Sequence, residues 1–171
     1  MFYSYVHLRM RSGVWPPDGL PPLDARIPAI NTLVLVTSGV FAHWAFLNLR
    51  AGRRGRFTAG MACAMGLGVL FLAGQAYEWT HAGFSLSDGL MGSTFFTLTG
   101  FHAAHVAAGI LVLLVATTRV WWNQGANGPD PGGTPMSLAE SGTYYWHFVD
   151  GVWLVLFTLV YLWPSSSGGG V

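Results

Sequence analysis

Residues 89–118 read GLMGSTFFTLTGFHAAHVAAGILVLLVATT, thirty consecutive positions without Asp, Glu, Lys or Arg, closed by Arg119. A bilayer core is crossed by a helix of about 20 apolar residues, and charged side chains are the groups it resists most. This stretch therefore predicts a membrane-spanning helix. Reading outward, the remaining charges cut the chain into three more such blocks. The expected spans are 27–49, 57–79, 89–119 and 141–163, with Glu78 near the end of the second and Asp150 interrupting the fourth. Breakers separate them: Trp15-Pro16-Pro17 and Pro21-Pro22 before the first, Gly83 to Gly89 between the second and third, and Gly125 to Pro135 before the fourth. The fold class is all-α, an integral membrane bundle of four transmembrane helices over 27–163. A Pro-rich outer-face stub (1–26) precedes it, and a flexible Ser/Gly tail (164–171) follows.

Composition agrees. Of 171 residues 52% are hydrophobic and 9% charged, against about a quarter charged in soluble domains, which excludes a water-exposed globule. Eight arginines, no lysine and seven acids leave a net charge of +1 and no basic stripe, so nucleic acid is excluded as a partner. Cys63 is the single cysteine, which excludes an internal disulfide, a CxxC redox pair and a multi-cysteine metal cluster. Small residues recur every fourth position at Gly60, Ala64 and Gly68 and at Gly100, Ala104 and Ala108, a spacing that lets membrane helices pack closely.

The polar residues inside the blocks carry the functional information, because an intramembrane ionisable group seeks a partner, a cavity or a bundle interior. Three spans each hold an i,i+3 pair on one helix face: Gln75 with Glu78, His102 with His105, and His147 with Asp150. Counting along the expected spans puts Glu78 near the outer end, the histidine pair near the middle and His147/Asp150 in the inner part. Together they form a candidate intramembrane polar network. A haem or metal reading uses His43, His102, His105 and His147, but an i,i+3 His pair without HExxH or a Cys/His cluster is a weak metal signal. Interhelical hydrogen bonding accounts for these histidines more simply. A proton relay along the staggered pairs is the sharper alternative, and a structural network explains them equally well. Arg119, followed by Trp121-Trp122, reads as an interfacial anchor whose guanidinium can grip a phospholipid phosphate. No nucleophile elbow is present.

Several strings resemble one family. Trp15-Pro16-Pro17 is followed by Pro28, Asn31-Thr32, Ser38-Gly39, His43-Trp44-Ala45 and Gln75-Ala76-Tyr77-Glu78-Trp79. Then come Ser87-Asp88-Gly89, Gly92-Ser93-Thr94-Phe95-Phe96, Thr99-Gly100-Phe101-His102-Ala103-Ala104-His105-Val106 and the run from Tyr145 to Trp153. In this order and spacing, from about Val14 to Trp163, the chain resembles cytochrome c oxidase subunit III of the haem-copper oxidase superfamily. The resemblance implies a non-catalytic subunit of an oxygen-reducing, proton-translocating complex. Such a subunit packs against catalytic subunit I and subunit II, holds membrane phospholipids, and supports proton uptake and durability. It implies no haem, copper or other cofactor in this chain, those being expected in partner subunits. It also implies that His102 and His105 are the family's paired histidines rather than metal ligands, and that Arg119 lies near lipid head groups.

The departures are specific. Family members have seven spans, or five in shorter versions, and only the last four are expected here. The aromatic run Phe2-Tyr3-Ser4-Tyr5-Val6 reads as the outer end of a span that begins upstream of Met1, and the family's buried glutamate belongs to that upstream span. Tyr145-Trp146-His147 and Ser87-Asp88-Gly89 favour the cytochrome c branch, with a quinol oxidase or nitric-oxide-reductase accessory subunit as alternatives. From another class, a self-contained membrane b-type cytochrome is the rival reading.

Four of the eight arginines, at 50, 53, 54 and 56, fall between the first two spans, and Arg119 ends the third on the same side. The positive-inside rule makes that side cytoplasmic, in a bacterial plasma membrane. A cysteine introduced at Gly55 in a Cys63-free background should resist a membrane-impermeant maleimide in intact cells and react once they are permeabilised. Labelling of intact cells would reverse the orientation.

Overall fold

The computed structural model describes residues 26–83, 89–122 and 134–162. Four helices fill them: α1 (Arg26–Arg50), α2 (Arg54–His81), α3 (Gly89–Trp122) and α4 (Thr134–Phe157), which continues as a π-helical turn over Thr158–Leu162. All four are long and apolar enough to cross a membrane. Residues 1–25 of the expected stub, the Ser87-Asp88 string, Trp163 and the tail lie outside the described residues.

The helices overrun the charge-bounded blocks, and the reasons are local. Arg26, expected in the stub, opens α1, and Pro28 is tolerated there because the first turn needs no donor from it. Pro135, read from sequence as part of a breaker, sits in the first turn of α4 for the same reason, so α4 starts seven residues before 141. Between α1 and α2 the chain reverses through Gly52 at φ 73°. Arg53 N–H donates to Asn48 C=O at 2.8 Å and Gly52 N–H to Leu49 C=O at 2.9 Å. This is the Schellman closure that a left-handed glycine permits at a helix C-terminus.

Successive helices pack side by side, and α4 packs back on α1, closing a ring of four. Ile30, Leu33, Val40, Val69, Leu111 and Leu154 point outward. The interior holds Leu35, Phe57, Met61, Phe71, Val106, Leu113, Trp146 and Trp153, all fully buried. Without water in a bilayer core, every buried polar group needs an internal partner, and four indoles meet that demand in one way. Trp146 N–H donates to Ser38 Oγ (3.0 Å), Trp153 to Thr32 Oγ1 (2.9 Å), Trp79 to Thr99 Oγ1 (3.1 Å) and Trp121 to Thr58 Oγ1 (2.8 Å), each on another helix. Each hydroxyl in turn donates to a carbonyl of its own helix, at Leu35, Pro28, Phe95 and Arg54. The donor and acceptor sides of the hydroxyl are both used.

Trp146 is the centre of this packing. Besides Ser38 on α1, it lies against Gly68 of α2 and Gly109 of α3, where an added Cβ would come within 2.7 and 2.8 Å of the indole ring. The stripe Gly60, Ala64, Gly68 is accordingly buried. The second stripe does not behave as the sequence suggests: Ala104 and Ala108 are exposed, and the close approach on α3 is made by Gly109. The spacing is shared by both faces of that helix, and only the position of Trp146 selects between them. Trp146→Ala should cost about 3–5 kcal/mol, the usual loss for an aromatic cavity, and Ser38→Ala about 1–3 kcal/mol for the orphaned indole N–H. Unfolding of the purified chain in micelles by SDS titration measures both, and an unchanged midpoint for Trp146→Ala would remove the indole from this role.

Candidate functional site

The three polar pairs occupy three separate places. At the end of the bundle opposite the arginine loop, Gln75 and Glu78 are buried on α2. Gln75 Nε2 donates to Glu78 Oε2 at 3.0 Å, and Tyr161 O–H donates to Glu78 Oε1 at 2.6 Å. Each carboxylate oxygen thus receives one donor, and the second comes from the π-helical turn after α4. Asn31 of α1 lies over Gly74, where a Cβ would collide with its amide. Its Nδ2, like Oε1 of Gln75, has no hydrogen-bond partner in the structure.

His102 is 3% exposed and is held by rings. Phe71 meets it edge-on at 5.6 Å between centroids, and Trp153 lies 4.8 Å away. Neither ring nitrogen has a hydrogen-bond partner, so the interhelical hydrogen bond expected of this histidine is not made. His105, its i,i+3 neighbour, is exposed and bonds to the Phe101 carbonyl of its own helix at 2.6 Å. Both border a hollow of about 260 Å³ between α3 and α4.

His147 and Asp150 face α1. His147 Nδ1 is 3.8 Å from Asp150 Oδ2, an ion-pair separation longer than a hydrogen bond. The His43 ring stands 5.7 Å from that of His147. Because α4 begins at Thr134, Asp150 is sixteen residues from its start and twelve from Leu162. It therefore lies close to the middle of the helix and its π-helical turn. Gly39 makes room for it: a Cβ there would collide with Asp150 Oδ2.

No hydrogen bond joins one pair to another among the described residues. The bundle brings Gln75 and Tyr161 to Glu78 and leaves His102 and His105 on one hollow without a hydrogen bond between them. Arg119 is exposed in the last turn of α3. Beside it Trp121 reaches Thr58, and a hollow of about 520 Å³ lined by Thr58, Thr117, Thr118, Trp121 and Trp122 opens at that end. Arg50 and Glu140, 3.5 Å apart and solvent-facing, tie α1 to α4 at the same end. Among the described residues no group of three or more His, Cys, Asp or Glu is arranged to hold a metal ion.

Sequence reasoning missed Tyr161, Asn31 and Gly39. The last two lie in strings already singled out, but the helices that face them are not legible in sequence, and Tyr161 lies in none of those strings. Tyr161→Phe removes one of two donors to a buried carboxylate and should cost about 1.5–3 kcal/mol. In a double-mutant cycle with Glu78→Gln, read by thermal unfolding in detergent, the two losses should be non-additive. Additive losses would separate Tyr161 from Glu78.

Residues 1–165 match the family model described as cytochrome c oxidase subunit III. The chain is 36% identical over 170 residues to cytochrome c oxidase subunit 3 of Ornithorhynchus anatinus, covering 96% of this chain and 63% of that protein. It is 38% identical over 170 residues to the Equus caballus protein of the same name, again with 96% and 63% coverage. For the Schizophyllum commune protein the identity is 37% over 172 residues, covering 97% of this chain and 62% of the relative. The chain thus spans less than two thirds of the length of these relatives. With its four membrane-spanning helices and its match from residue 1 to residue 165, it belongs to the cytochrome c oxidase subunit III family.

Proposed function

We propose that this chain serves as the non-catalytic subunit III component of a cytochrome c oxidase in an aerobic respiratory chain. The family match over residues 1–165 carries this reading. In it, the bundle stands beside catalytic subunit I and subunit II, which hold the haem and copper, and it supports their stability and proton uptake. Gln75, Glu78, His102, His105, His147 and Asp150 act as structural polar groups rather than as one proton wire, which accords with the absence of hydrogen bonds between the pairs among the described residues.

Arg119 binds a phospholipid phosphate. Its place in the last turn of α3, beside the tryptophan-lined hollow and at the same end as Arg50, Arg53, Arg54 and Arg56, supports that role. The membrane is a bacterial plasma membrane, and this end faces the cytoplasm.

The chain purified alone should consume no oxygen with reduced cytochrome c and should show no stoichiometric Soret band. From native membranes it should co-purify with haem-bearing subunits. A Soret band retained at one haem per isolated chain would replace this reading with that of a self-contained membrane cytochrome.

A further inference from the structure

At the end of the bundle opposite the arginine loop, two side-chain amides meet the same short stretch of α2. Asn31 of α1 is 6% exposed and Gln75 of α2 is 1% exposed. The Asn31 amide rests on Gly74, the residue before Gln75, so closely that a Cβ at position 74 would collide with it. Gln75 has only one workable amide orientation. Its Nε2 donates to Glu78 Oε2 at 3.0 Å, and the flipped group would set oxygen against oxygen. Its Oε1 is thereby left without the carboxylate as a neighbour to bond. Glu78 is closed on its other oxygen by the Tyr161 hydroxyl at 2.6 Å. One donor, Asn31 Nδ2, and one acceptor, Gln75 Oε1, remain, each shut off from the surface and without a hydrogen-bond partner among the described residues. They differ from the other unpartnered buried atoms, on His102 and Asp150, whose side chains line surface hollows.

We propose that Asn31 and Gln75 hold one internal water molecule between α1 and α2, which accepts from Asn31 Nδ2 and donates to Gln75 Oε1. Chemistry selects water as the ligand. A buried water needs at least two polar partners, and here one must give a proton and the other receive one, which a water does at once. The two amides make no direct hydrogen bond, and a water bonded at about 2.9 Å to each bridges roughly 5 Å. Adjacent Cα atoms are about 3.8 Å apart, so an amide seated on Gly74 and one carried by Gln75 lie at a separation of that order. Because both atoms are closed to the surface, the missing partner has to be small enough to sit inside the bundle. With it in place, one chain runs from Asn31 through the water and Gln75 to Glu78, where Tyr161 arrives from the other side. Every donor in that chain points toward the Glu78 carboxylate, so each bond polarises the next and makes Gln75 Oε1 a stronger acceptor. The chain fastens α1, α2 and the π-helical turn after α4 to one another.

The test is a pair of 15N-edited NOESY and ROESY spectra of the full chain in deuterated micelles, with asparagine selectively labelled. The chain has four asparagines, and the Asn31 side-chain signal is the one missing from Asn31→Asp. The Asn31 Nδ2 protons should show water cross-peaks of opposite sign in the two spectra, the mark of a water that tumbles with the protein. Gln75→Leu should abolish these cross-peaks while the Asn31 amide signal persists. Tyr161→Phe, which removes the nearest hydroxyl able to relay exchange with solvent, should leave them in place. Wild-type spectra in which the Asn31 amide contacts Gln75 or another side chain and no water overturn the assignment, whether or not a variant folds. So do water cross-peaks that survive Gln75→Leu unchanged or vanish in Tyr161→Phe.

Discussion

An indole N–H inside a bilayer has no water to turn to, and the bundle is organised around satisfying that donor. Trp146 and Trp153 stand two helical turns apart on α4, and each sends its N–H across to a hydroxyl on α1. A serine or threonine in a helix already spends its own proton on a carbonyl one turn back. Its oxygen is then free to accept, so the Trp-to-hydroxyl contact leaves neither partner unsatisfied. Because the indole is also the largest side chain, the same residue that needs the hydrogen bond fills the volume between the helices. Gly68 and Gly109 are the complementary surface, since anything larger would push Trp146 off Ser38.

Several features follow from this arrangement. The position of Trp153 puts its ring beside both Phe71 and His102, so a potential hydrogen-bonding residue becomes an aromatic packing element. Trp79 and Trp121 repeat the donor-to-hydroxyl contact at opposite ends of the α2–α3 pair and so hold those helices antiparallel along their whole length. The carboxylates are treated unequally. Glu78 has two donors at 2.6 and 3.0 Å, one to each oxygen. Asp150 has neither oxygen hydrogen-bonded among the described residues and borders a groove between α1 and α4.

The sequence by itself determined the helices, their number and the membrane setting, because charge-free runs of this length have one stable solution in lipid: a helix that pairs every backbone donor with its own carbonyls. It also determined the i,i+3 pairings within each helix, since these depend only on helical pitch. It carried the family resemblance in its ordered strings. What it could not determine was which face of each helix turns inward. Two small-residue stripes look alike, yet one is buried while Ala104 and Ala108 of the other are exposed, and His102 meets two aromatic rings in place of its expected hydrogen bond. The start of α4 depended on context as well, since a proline reads as a breaker until its place in the first turn is known. Those outcomes depend on the rotation of one helix against another, which is set by the fit of Trp146 among Ser38, Gly68 and Gly109. That fit joins residues about thirty to over one hundred positions apart, and only the tertiary structure decides it.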